Sequence, residues 1–240
     1  MSEASLLRAA WVGRMAYGPA LDLQRSLFER RKAGRVTDSL LLVEHDHVFT
    51  LGRRGMSSHV LASAEALQAV GATVHETDRG GETTYHGPGQ LVAYPIINIR
   101  DAGLGPVTYV RLLEQAIIDT LSEHGVSGHR VVGKTGVFVG GEPGQRPADG
   151  ENPRGRKIGA IGVRVSAGVA MHGFALNVST DLDYYRHIVP CGMPGMPAAS
   201  ILSETGRRAE LEDVGRRAAD HLATFLQLRL EWVQSGSLAA

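Results

Sequence analysis

Cysteine is almost absent: the 240-residue chain holds one, Cys191. A lone thiol closes no internal disulfide, so there is no disulfide framework, and the composition suits a reducing compartment. Net charge is missing as well, since 25 Lys+Arg balance 25 Asp+Glu and the pI is about 7.2. The absence of a global basic field argues against nucleic acid as a main partner. No apolar run approaches the ~20 residues of a membrane span. The first residues, Met1-Ser2-Glu3-Ala4-Ser5-Leu6-Leu7-Arg8, lack the basic start and apolar run of a signal peptide. No membrane is expected, and the expected setting is the cytoplasm. Gly-x-Ser-x-Gly does not occur, so a serine-hydrolase elbow is unsupported. Lysine is scarce in a chain that favours Arg: Lys32, Lys134 and Lys157 are all there are. That scarcity points to a specific need for an amine at one of them.

What is present is a soluble, globular composition, 43% hydrophobic and 21% charged, long enough to bury a substantial core. Pro19 opens a helical pattern carrying Leu23, Leu27 and Phe28 and stopped by Gly34. Leu40–Val43 and Val48–Leu51 read as short buried strands around the polar break Glu44-His45-Asp46-His47. Ser63 can cap a helix over 64–70 that Gly71 stops. Thr73–Glu76 and Leu91–Ile97 read as strands. Pro106 opens a helix with Val110, Leu113, Ile117 and Leu121 at helical spacing, ended by Gly125. Val131–Val132 and Val137–Val139 are β-like. Residues 140–156 have no apolar period and read as a mobile surface loop. Ile158–Val165 and Phe174–Val178 are strand-like, Leu211 to Phe225 form a last amphipathic helix, and Leu228–Val233 a last strand. The tail 235–240 is expected to fray. Helices and strands mix without regular βαβ alternation, which predicts an α/β chain of the α+β, mixed-sheet kind: one domain over 1–240 with its core at about 15–233.

The most informative stretch is 79–96, where glycines and a proline surround Arg79, Thr83, Thr84, Tyr85, His86 and Gln90. Glycine lets backbone approach a ligand closely. The polar residues supply donors, acceptors and a permanent cation, and the segment runs into an apolar strand, a common way to build a site. Plain turn chemistry needs none of these side chains. The loop is expected to wall a pocket, with Tyr85 and His86 turned toward it.

Other motifs weigh less. Residues 128–135, Gly-His-Arg-Val-Val-Gly-Lys-Thr, satisfy the P-loop pattern. They follow a helix and lead into a strand, whereas a working P-loop follows a strand and opens a helix. Nucleotide hydrolysis is therefore not expected. His45 and His47 share one face of an extended segment and could ligate a metal. With no Cys/His cluster elsewhere in sequence, a histidine lining a site is the better reading, and no metal is expected. Cys191 sits in Pro190-Cys191-Gly192. A lone cysteine is usually inert, but this rigid turn can present a thiol and leave the next amide free. A nucleophilic cysteine needs a cation or base beside it, and Lys157, at the head of the strand Ile158-Gly159-Ala160-Ile161-Gly162, is the candidate.

Several segments in order resemble the lipoyl(octanoyl) transferases, the lipoate-protein ligase B family. They are Glu44-His45 through Gly52-Arg53-Arg54, the Arg79-Gly80-Gly81 to Gly89-Gln90 loop, Gly136-Val137-Phe138-Val139, Lys157 to Gly162, His172-Gly173-Phe174-Ala175-Leu176-Asn177 and Pro190-Cys191-Gly192. Together they span about residues 40–203. The resemblance implies the biotin/lipoate cofactor-transferase fold, and octanoyl (or lipoyl) transfer from acyl carrier protein to a lysine of lipoyl domains, those of 2-oxoacid dehydrogenases and the glycine cleavage H protein. It implies no cofactor. It makes Cys191 the acyl carrier and Lys157 its dyad partner. Substrate binding falls on Arg79, Gly80, Gly81, Glu82, Thr83, Thr84, Tyr85, His86, Ala160, Ile161, Gly162, Gly173, Phe174, Ala175 and His45. After Cys191-Gly192 the family has an acidic residue and then Thr-Ser, where this chain has Gly195 and Ala199-Ser200. The alternatives are an ATP-dependent lipoate or biotin ligase of the same fold, which would need no cysteine, and a non-catalytic acyl-carrier-binding module. A basic surface for the carrier is expected from Arg53, Arg54, Arg154 and Arg156.

Overall fold

The computed structural model describes residues 5–141, 143–144, 146–148, 152, 154–189 and 195–239. Among these described residues the frame is an eight-stranded mixed sheet. The strands are β1 (Leu6–Arg14), β2 (Asp38–Glu44), β6 (Gln90–Asn98), β7 (Gly128–His129), β8 (Val137–Val139), β9 (Arg156–Ser166), β10 (Val169–Asn177) and β11 (Arg229–Trp232). They lie in the order β11-β1-β2-β6-β10-β9-β8-β7. The first three run parallel and the rest alternate. A second, three-stranded sheet sets β3 (Val48–Leu51) between β4 (Thr73–Glu76) and β5 (Thr83–His86).

Both faces of the large sheet are covered, so its central strands read as unbroken apolar runs. Leu40 and Leu42 of β2 face α3 (Pro106–Glu123) and α5 (Leu211–Leu226), while Leu41 and Val43 face α1 (Tyr17–Lys32). The alternation is that of a pleated strand. Pro106 at the start of α3 lacks only an N–H that a first turn does not use, and Gly125 just beyond the helix takes φ +76°. Tyr109, Leu113, Ile117 and Leu121, one every four residues, are fully buried and lay a ridge on the sheet. Each such aliphatic side chain contributes about 1.5–3 kcal/mol by leaving water. The first position of that ridge is Tyr109; the expected Val110 is half-buried beside it.

Four expectations are corrected. β1 begins at Leu6 and lies inside the sheet between β11 and β2, so the core starts well before residue 15. Val131–Val132 is not a strand; Val131 packs with Phe138 and Met196 while Val132 is exposed. The 79–90 stretch is not all loop, because residues 83–86 form β5. The C-terminal segment turns back as a 3-10 turn over Ser235–Ala239 and buries Leu238 against the α1 side of the sheet. The expected 140–156 loop lies partly outside the described residues, and β9 begins inside it at Arg156. The P-loop-like stretch opens no helix and leads into β8.

Candidate active site

A narrow pocket lies between the 79–82 turn with β5 on one side and β6, β9 and β10 on the other. Val92, Ala160, Ile161, Phe174 and Ala175 give it apolar walls; Tyr17, Arg79, Glu82, Thr84, His86, Tyr94 and His172 bring polar groups. Close approach of backbone makes it narrow. Gly162 and Gly173 are partners across β9 and β10. A Cβ on Gly162 would stand 2.7 Å from the Gly80 carbonyl oxygen, and one on Gly173 would strike the Ala93 carbonyl. The turn is fixed to both sheets. Gly80 N–H donates to the Val163 carbonyl at 2.9 Å. Arg79 is buried and donates to the Thr50 carbonyl at 2.7 Å, to Thr50 Oγ1 at 2.9 Å and to the Gly80 carbonyl at 3.1 Å.

The strand period sorts the expected residues of β5. Thr84 and His86 face the pocket, while Thr83 and Tyr85 point through the opposite face. Thr83 is buried outside the pocket. Tyr85 packs on Phe49, shares a 2.8 Å hydrogen bond with His47 Nδ1 and stacks on Tyr184 at 5.0 Å. The expectation that Tyr85 turns to the pocket therefore fails on strand geometry. Gly80 acts through its backbone and does not line the pocket. His45 stands one layer behind: its Nδ1–H donates to the Met15 carbonyl at 2.7 Å, and its Nε2 accepts from the Tyr94 hydroxyl at 2.7 Å. The remaining expected residues, Arg79, Gly81, Glu82, Thr84, His86, Ala160, Ile161, Gly162, Gly173, Phe174 and Ala175, line the pocket together.

Burial favours the neutral form of the pocket histidines. Gln90 Nε2 donates to the Tyr85 carbonyl and to Asn177 Oδ1, at 3.2 and 2.9 Å, which fixes its Oε1 as the acceptor of His86 Nδ1–H at 2.7 Å. Burial lowers His86 to about 3 and His45 to about 4. His86 Nε2 thus keeps its lone pair. His172, in a left-handed conformation at φ +58°, donates from Nε2 to Asp78 Oδ1 at 2.7 Å. Burial lowers its pKa, and its Nδ1 has no partner among the described residues. Asp78 also meets Arg164; burial would raise its carboxyl, but His172 and Arg164 hold it low. Burial raises Tyr17 to about 12, so it stays a phenol.

A second, smaller pocket shares Thr84 and Ala160 with the first. Lys157, Gly159, Asn177, Tyr185, Met196 and Pro197 are among its lining. Lys157 Nζ donates to the Thr135 carbonyl at 3.1 Å and sits 5.6 Å from the Phe138 ring centre. The Lys157 backbone is bonded to the chain downstream: its N–H donates to the Pro197 carbonyl at 2.8 Å, and its carbonyl accepts from Ala199 N–H at 2.9 Å. Upstream, Val189 N–H donates to the His59 carbonyl at 2.8 Å, and Ile188 bridges Val60. Residues 190–194, with Cys191 and Gly192, lie outside the described residues. Where the family pattern has Thr-Ser, the Ala199 carbonyl accepts from Asn177 Nδ2 at 2.9 Å and Ser200 caps the next helix, Ile201–Thr205.

One other expectation changes. Arg156 forms a two-pronged ion pair with Glu204, closest at 2.8 Å, so its charge is largely matched. His45 and His47 turn their ring nitrogens to protein partners, and among the described residues no group of three or more His, Cys, Asp or Glu could hold a metal. Among the described residues no helix is long and apolar enough to cross a membrane.

The lipoyl protein ligase A/B catalytic domain family matches residues 16–223 of the chain. The chain belongs to this family. Within it, the chain is 46% identical over 229 residues to an octanoyltransferase of Solibacter usitatus, covering 95% of this chain and 96% of that protein. An octanoyltransferase of Acidobacterium capsulatum is 42% identical over 239 residues, covering 96% and 94%. The fold matches a bi-partite lipoate protein ligase of Thermoplasma acidophilum with a TM-score of 0.68 at 16% identity, covering 98% and 91%. That likeness speaks for the fold. Tyr17, Val92 and Tyr94 line this pocket, and Asp78 holds His172 beside it, without having been singled out from the sequence. Tyr17 reads as a core aromatic at a helix start. Val92 and Tyr94 sit in an apolar run whose period-2 alternation is the only signal that they share a face.

Proposed function

We propose that this chain transfers an octanoyl group from acyl carrier protein to a lysine of a lipoyl domain, as in 2-oxoacid dehydrogenases or the glycine cleavage H protein, through a thioester on Cys191. The observation that carries the reading is the junction at Lys157. Lys157 lines the second pocket, which meets the apolar one at Thr84 and Ala160, and its backbone is bonded to residues 197 and 199, a few positions after Cys191 in the chain. An acyl tail lies along Ala160, Ile161, Phe174 and Ala175, with its carbonyl end toward Lys157.

The Lys157 ammonium stabilises the Cys191 thiolate. Sγ attacks the thioester carbonyl of the octanoyl-carrier, and the Gly192 N–H steadies the oxyanion. Collapse breaks the bond to the carrier sulfur, and the departing thiolate takes a proton from Lys157. The amine of the lipoyl-domain lysine then attacks the Cys191 thioester. A C–N bond forms, its proton passes to the now neutral Lys157, and the C–Sγ bond breaks to restore the thiolate. A thioester is already activated, so neither ATP nor a cofactor enters. The single cysteine fits work in the cytoplasm.

The experiment is octanoyl transfer between purified octanoyl-carrier and lipoyl domain with ATP omitted, followed by the mass of the lipoyl domain. Transfer is expected, and Cys191→Ser is expected to abolish it. A strict ATP requirement would assign the chain to adenylate-forming ligation instead.

A further inference from the structure

We propose that Glu114 is a positioning residue for the Lys157 amine, acting through the single peptide unit that joins Thr135 to Gly136. Glu114 projects from α3 and is fully buried. Its Oε2 accepts from Arg111 Nη1 at 2.6 Å and from Arg130 Nε at 3.0 Å. Its Oε1 accepts from the Gly136 N–H at 3.0 Å. A buried carboxylate is tolerated only when its oxygens are matched in this way. The two guanidinium groups engage one oxygen, and the other holds one backbone amide.

The amide it holds belongs to the same peptide unit as the Thr135 carbonyl. A trans peptide is planar, and its N–H and C=O point in opposite directions. Fixing the N–H on Glu114 therefore fixes the direction of the carbonyl, and that carbonyl accepts from Lys157 Nζ at 3.1 Å. The peptide also packs on the lysine stem. Gly136 takes φ +117°, and a Cβ there would stand 2.8 Å from Lys157 Cε and 2.5 Å from the Gly159 carbonyl oxygen. Glycine is needed at this point for both reasons. The hydrogen bond on one side of a peptide polarises the one on the other, so the carboxylate strengthens the carbonyl as an acceptor for the ammonium. The Gly133-Lys134-Thr135 end of the P-loop-like stretch thus has a role with no phosphate in it: it presents a carbonyl to Lys157.

The proposal rests on the reading that Lys157 serves the transfer, and the test separates the two. The chain has one cysteine, so alkylation of the full-length folded enzyme by iodoacetamide at neutral pH reports the Cys191 thiolate alone. The rate is compared in wild type, Glu114→Gln, Lys157→Ala and the double variant, with circular dichroism to confirm folding. Glu114→Gln leaves one acceptor oxygen, which the Arg111 and Arg130 guanidinium groups take, and turns its NH₂ to the Gly136 N–H; it is expected to slow alkylation about 3- to 10-fold, the worth of one hydrogen bond. In the Lys157→Ala background it is expected to cost less than about 2-fold, because groups acting as a unit are not additive. Glu114→Asp keeps the charge but withdraws the carboxylate from Gly136, and is expected to behave the same way. It carries the test if Glu114→Gln does not fold. An equal loss in both backgrounds, or no loss in wild type, overturns the proposal and leaves Glu114 a structural ion-pair partner. A Lys157→Ala protein that alkylates and transfers like wild type overturns the catalytic reading itself, and the positioning role with it.

Discussion

His86 and Tyr85 are neighbours on β5 and belong to different surroundings. His86 faces the pocket and is oriented by Gln90; Tyr85 faces Phe49, His47 and Tyr184. His86→Ala is therefore expected to slow octanoyl transfer about 10-fold or more while circular dichroism is unchanged, in line with loss of a positioned polar group. Tyr85→Phe removes one hydrogen bond outside the pocket and is expected to cost about 1 kcal/mol in a denaturant melt, with transfer nearly as fast as wild type. Equal effects on rate from the two variants would mean that β5 does not divide the site this way. The same residues set a pH dependence. His45 and His86, with pKa near 4 and 3 in the folded chain, are held neutral, whereas unfolding returns them to about 6.5. Between those values the unfolded state binds more protons, so stability falls as pH falls below 6.5. The two together are expected to cost about 3 kcal/mol between pH 6.5 and pH 5. Replacing His86 with Gln should remove about half of that slope in urea melts; an unchanged slope would show that His86 is not neutral in the native chain.

At the scale of elements, β9 joins the two pockets. Lys157 stands at its head, Ala160 lines both pockets, and Gly162 lets the 79–82 turn approach. Ala160→Leu places bulk where the acyl tail would pass. Each buried CH₂ is worth about 0.8 kcal/mol, or roughly 4-fold. The variant is therefore expected to lose octanoyl transfer by at least ~10-fold more than hexanoyl transfer, measured with the two acyl-carriers side by side. Equal losses would place the tail elsewhere. Most of this strand was legible in the sequence, because a lysine in a lysine-poor chain heads a run of small residues. β5 was less so: its glycines and proline mask four residues of strand, and only pairing with β3 reveals that Thr83 and Tyr85 turn away. β1 was missed because Leu6–Arg14 mixes Arg8 and Arg14 into an apolar run, and its burial comes from α5 and the C-terminal turn, which are distant in sequence. Glu114 offered no signal at all. A glutamate in a helix reads as surface, and its burial depends on Arg130 and Gly136 folding back onto α3.

For the whole molecule, zero net charge leaves carrier recognition to local charge. Arg53 and Arg54 are exposed beside the 79–82 turn, and their N–H groups donate to the Arg79 and Gly81 carbonyls at 3.0 and 3.1 Å. Reversing both to Glu is expected to raise KM for octanoyl-carrier several-fold and flatten its salt dependence, with kcat little changed, since exposed charges act within about 8 Å at physiological salt. A KM that ignores both salt and the substitutions would remove this surface from carrier binding. A covalent intermediate is the centre of the proposed mechanism, and its most direct measurement is the intact mass of the enzyme mixed with octanoyl-carrier protein alone, followed by peptide mapping. The expected result is one octanoyl group on Cys191, formed without ATP and absent from Cys191→Ala. An enzyme that transfers octanoyl with no adduct, or with the adduct on another residue, would contradict it.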